Sequence, residues 1–99
     1  RGGVSDRGLA DLAFHFARSQ DRERGVAYSR RAAEAASRAF APDEARQHYH
    51  TALALLPADS ELRAPLLHGL ADAALVADAL PEAAAAYEAA ETAWRAILS

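Results

Sequence analysis

The sequence predicts an all-α fold of about five helices arranged as antiparallel helix pairs, and three observations carry that expectation. Apolar residues return every three or four positions along most of the chain, as one buried face of a helix requires. Proline and short polar runs interrupt that rhythm near residues 19–21, 41–42, 57–59 and 79–81, leaving connections of only a few residues. Alanine makes up much of the 52% of hydrophobic residues, and it is the best helix former while burying little area.

The first helix is expected over residues 5–19, with Ser5 or Asp6 as N-cap and Leu9, Leu12, Ala13 and Phe16 on one stripe. The polar run Ser19, Gln20, Asp21 ends it, and a second helix follows over 22–40. Val26, Ala32, Ala33, Ala36 and Phe40 can line its inner face, while Arg24, Arg31 and Arg38, seven apart, form a row on another. Pro42 suits the first turn of a third helix over 43–56, with Asp43 and Glu44 at its positive end.

After Pro57, Ala58 and Asp59, a fourth helix is expected over 60–77, capped by Asp59 or Ser60. Pro65 lies within it, so the helix either begins near Ala64 or kinks there. Residues 82–98 form the fifth, where Tyr87, Ala90, Trp94 and Ile97 repeat at three and four. No strand is expected. Tyr49 and Tyr87 are the expected interhelical anchors.

Ninety-nine residues make one domain, and we read 1–99 as a single helical domain and a fragment of a larger protein. The absence of cysteine excludes disulfides and thiolate metal sites, and leans towards a reducing, cytoplasmic setting. No segment has the length and apolarity of a membrane span, so no membrane partner is expected. All eleven basic residues are arginine. The net charge of −3 is uneven: eight arginines against five acids in residues 1–40, three against nine in 41–99. That acidic second half argues against nucleic acid as a ligand.

No motif assigns a reaction. His15, His48, His50 and His68 lack the three- or four-residue spacing of a helical metal site, and His15 between two phenylalanines looks like packing. The carboxylates sit at helix starts or on exposed faces, and Glu91 and Arg95 make an i,i+4 pair. There is no phosphate-binding glycine loop, no nucleophile elbow and no His-Glu-x-x-His. No catalytic, metal-binding or cofactor-binding residue is therefore assigned, no cofactor is expected, and the chain is not expected to be an enzyme.

Two stretches repeat: Glu44, Ala45, Tyr49, Ala52 and Glu82, Ala83, Tyr87, Ala90, offset by 38 residues. This pattern resembles the second helix of a tetratricopeptide repeat, with Pro57 near the usual end of the repeat unit. The resemblance implies a right-handed superhelix of helix pairs that binds protein. Residues 22–40 fit either as the second helix of one pair or as the first of the next. A further similarity, carried by residues 9–16, 28–36 and 45–53, is to the helical arms that follow the ATPase module in LuxR-type regulators and NTPase-linked cyclase relatives.

That resemblance implies a protein-binding or regulatory scaffold of a bacterial signalling or transcription-regulating protein. The alternative it implies is a small-molecule sensor domain of an ATPase-linked transcription regulator. The expected partner-binding residues are Arg24, Arg31, Arg38, Trp94 and Leu98, facing a protein or sibling domain. Trp94, Ile97 and Leu98 leave the last helix with an apolar end, so self-association through that helix is expected too.

Overall fold

The computed structural model describes residues 21–99, and the helix expected over 5–19 lies outside them. Four α-helices and no strand make up the described residues: α1 (Arg22–Arg38), α2 (Pro42–Leu55), α3 (Arg63–Val76) and α4 (Leu80–Leu98). Each helix packs on the next in sequence, most extensively α1 with α2 and α3 with α4, less so α2 with α3. Among the described helices, α1–α2 and α3–α4 are therefore the two more extensively packed pairs.

The 38-residue offset extends to the backbone. At the end of α1, Ala41 N–H donates to Ala36 O at 2.9 Å and Phe40 N–H to Ser37 O at 3.1 Å. At the end of α3, Ala79 N–H donates to Ala74 O at 2.8 Å and Asp78 N–H to Leu75 O at 3.1 Å. Both are Schellman closures, which place the residue after the C-cap in the left-handed region. Phe40 and Asp78 accordingly have φ of 56° and 60°. A glycine would take that conformation without strain; phenylalanine takes it at a cost.

Phe40 was expected on the inner face of a helix reaching residue 40. Instead α1 stops at Arg38, because the closure turns the chain outward, and Phe40 is 88% exposed. Pro42 occupies N1 of α2, where its missing N–H costs nothing. The next helix also starts later than the expected 60: residues 57–62 lie outside it, and Ser60 Oγ accepts from Leu62 N–H at 3.2 Å rather than from the helix's first turn. Helix α3 starts at Arg63, so Pro65 falls in its first turn and no kink is needed. Leu80, expected in a break, is the first residue of α4.

Small residues set the helix spacing. Ala33, Ala45, Ala52, Ala64, Ala71 and Ala74 are fully buried, with Val26, Tyr49, Leu55, Leu66 and Leu70 as the larger core members. Helix α3 lies between α2 and α4 and buries Ala64, Leu66, Leu67, Leu70, Ala71, Ala73 and Ala74. Gly69, on α3, is the point of closest approach: a Cβ there would stand 2.5 Å from Tyr49 Cζ. Helix α4, covered on one side only, buries no more than Ala83, Ala86 and Ala90.

Candidate functional site

The repeat offset puts Tyr49, Leu53 and Leu56 in register with Tyr87, Glu91 and Trp94. In the first pair that stripe is covered: the Tyr49 ring lies against Gly69 of α3, and Leu53 and Leu56 pack on the core. In the second pair it is open. Tyr49 is 7% exposed against 36% for Tyr87, and Trp94 and Leu98 are 42% and 83% exposed. Tyr87, expected as an interhelical anchor, does join α4 to α3 but is not buried as Tyr49 is, because among the described residues no helix lies on the far side of α4 as α3 lies on α2.

Tyr87 is nonetheless held. Its hydroxyl donates to Asp72 of α3 at 2.5 Å, and its ring meets the edge of His68, centroids 5.8 Å apart. Asp72 also lies 3.5 Å from His68 Nε2. The Asp72 hydrogen bond pushes the Tyr87 phenol above its usual range, because losing the proton would put two anions together. For Tyr49 the same upward direction comes first from burial. The open stripe is thus fixed at one edge by α3 and free at the other.

A charged latch ties α2 to α4. The Arg46 guanidinium lies 2.6 Å from Glu82 and 2.7 Å from Asp43, and His50 Nε2 lies 2.8 Å from Glu82 Oε2. The hydrogen bond from His50, and then that from Arg46, hold the Glu82 carboxyl below the usual carboxylate range. Arg46 is raised by the same contact with Glu82. The cluster is structural in character: every charge in it faces a partner on the chain itself.

Arg24, Arg31 and Arg38 do share one exposed face of α1, as their spacing predicts. Arg24 lies 3.5 Å from Asp21, and Arg31 stacks over Tyr28 at 6.0 Å from the ring centroid. Helices α2 and α3 stand between this row and Trp94 and Leu98 on α4, so the expected partner-binding residues form two separate surfaces. Leu80, Ala84 and Tyr87 on α4, all exposed, and Gly69 on α3 were not among the expected site residues. A glycine inside an apolar helical pattern was the available signal of close approach.

A groove of 740 Å³ runs along the other flank of α4, floored by Ala85, Ala89, Ala93 and Ala96 and rimmed by Glu61 and Glu88. Asp59, Ser60, Arg63 and Thr92 also line it, and it is an open ledge, unlike the enclosed sites that hold small ligands. Among the described residues, no three His, Asp or Glu side chains gather as a metal site, and no helix is long and apolar enough to cross a membrane. Compared with protein-family models, curated proteins and solved structures, the chain matches none.

Proposed function

We propose that this chain is a protein-binding helical-repeat scaffold whose partner surface is the outer stripe of α4. The observation that supports it is the contrast between two equivalent stripes. The one on α2 is covered by a helix, and the one on α4 presents Leu80, Tyr87, Trp94 and Leu98 to solvent. Exposed apolar residues recurring along one stripe of a helix, here interrupted by Glu91, are what helix-in-groove recognition uses. The pairs stack in this reading as a tetratricopeptide-like right-handed superhelix. The resemblance to arms of bacterial signalling and transcription regulators supplies the cytoplasmic regulatory context, with the arginine row of α1 as a secondary contact for a sibling domain.

A synthetic peptide of residues 60–78 is the natural probe, since this segment already covers the equivalent stripe on α2 within the chain. Trp94 is the only tryptophan, so its emission reports on that surface alone. A saturable blue shift on titration, lost in Trp94→Glu, is the expected result. No shift at millimolar peptide, in a chain that is also monomeric, would remove α4 as an interaction surface.

A further inference from the structure

Six residues of α4 alternate at spacings of four and three: Leu80, Ala84, Tyr87, Glu91, Trp94 and Leu98. All six are exposed, and this spacing draws one straight seam along a helix, as in a two-stranded coiled coil. Over the 19 residues of α4 the seam is about 28 Å long at the rise of an α-helix.

The seam is complementary to itself in reverse. Laid antiparallel on a second copy, Leu80 meets Leu98 of that copy, Ala84 meets Trp94, and Tyr87 meets Glu91; the same three contacts recur beyond the two-fold axis. Small opposes large at Ala84 and Trp94, so the indole enters space that the alanine leaves. Sliding the copies by one heptad in either direction strands two of the six residues. A parallel, in-register pair instead sets Trp94 against Trp94, Ala84 against Ala84 and Glu91 against Glu91, which combines overpacking, a void and like charge.

We infer that α4 is a homodimerisation helix, pairing antiparallel with α4 of a second copy in the register that brings Ala84 against Trp94. This rests on reading the α4 stripe as an interaction surface, and it names the occupant. Glu91, the one charged member, already pairs with Arg95 of its own helix at 2.5 Å, and a polar residue in a seam specifies register at a cost in stability. Glu88 faces its own copy near the axis on the open flank. With one helix per copy the interface is smaller than the ~800 Å² per partner of stable complexes, and a weak, reversible dimer follows.

Sedimentation velocity over a concentration series should show reversible dimerisation of the chain. Ala84→Trp and Trp94→Glu should each abolish it with helicity unchanged, and Glu88→Ala should tighten it several-fold. Because the chain has no cysteine, register can be read directly by mixing Leu80→Cys with Leu98→Cys under mild oxidation. The mixed disulfide should dominate. Predominance of the two self-linked species, or a monomer at millimolar concentration, overturns the inference. A monomer whose Trp94 still responds to the 60–78 peptide leaves α4 an interaction surface for a different helix, and a monomer with no response removes both.

Discussion

The α1–α2 and α3–α4 pairs share their closing hydrogen bonds to within 0.1 Å, their buried alanines Ala45 with Ala83 and Ala52 with Ala90, and a tyrosine in the same register. They differ in what lies beyond that tyrosine. Tyr49 has α1 on one side and Gly69 of α3 on the other; Tyr87 has Asp72 and His68 of α3 and then solvent. Position within a stack, more than residue identity, thus decides whether an aromatic ring is core or contact surface. In repeat architectures each unit leaves for the next the face that its predecessor has already covered.

The sharpest way to break that comparison is truncation of each tyrosine. Tyr49→Ala should cost about 3–5 kcal/mol, as loss of a large buried aromatic does, whereas Tyr87→Ala should cost only a small fraction of that in the monomer. Urea denaturation of the two variants decides it, and equal losses would erase the distinction between the pairs.

The next effect in size tests the contact itself. Gly69→Ala drives a methyl group to 2.5 Å from the Tyr49 ring, and overpacking of this kind costs about 1–3 kcal/mol. Alanine's helix preference over glycine returns up to about 1 kcal/mol of it. In a Tyr49→Ala background the clash vanishes, so the same Gly69→Ala change should become stabilising. A double-mutant cycle with no coupling would show that the ring does not sit where the glycine admits it.

Much of this architecture was legible in the residues, and what was not has identifiable causes. Helical periodicity and proline placed the four described helices within three residues at either end, since Pro42 marks a start and the Ala45 and Ala83 registers fix a face. Periodicity cannot say whether a face has a neighbour, which is why Tyr49 and Tyr87 looked alike. Phe40 was misplaced because the left-handed residue of a helix closure is usually glycine, and here neither loop carries one. The arginine row was legible as a row, but its partners Asp21 and Tyr28 are local features that spacing alone does not weigh.

The two closures offer a smaller and more local comparison. Phe40 and Asp78 share a left-handed φ, but an aspartate tolerates it better than a bulky aromatic. Phe40→Gly should therefore raise stability by about 1 kcal/mol, with Asp78→Gly gaining less, because glycine relieves more strain at the first site than at the second. Thermal melts of the two variants side by side check the order. If Phe40→Gly gained nothing, the exposed ring would have to be making compensating contacts of its own.

The smallest expected effect lies in the latch between the pairs. Glu82 and Glu44 occupy the same repeat position, but Glu82 binds Arg46 and His50 of the other pair, whereas Glu44 is exposed and forms no ion pair among the described residues. A carboxyl whose folded-state pKa is depressed, as that of Glu82 is, stabilises the fold above its ordinary value. That contribution fades as the pH falls through the depressed value, because the unfolded chain takes up the proton first. Glu82→Gln should therefore lower the melting temperature at neutral pH, and the gap to wild type should close on acidification through and below the ordinary carboxylate range. Glu44→Gln is the matched control: it removes the same helix-start charge without an ion pair to the other helix pair, so its gap should be the smaller of the two. Added salt should shrink the Glu82 gap as well, since the pair is only partly shielded from solvent. A gap that persists unchanged at low pH and high salt would mean that Glu82 joins the pairs by shape and hydrogen bonding rather than by charge.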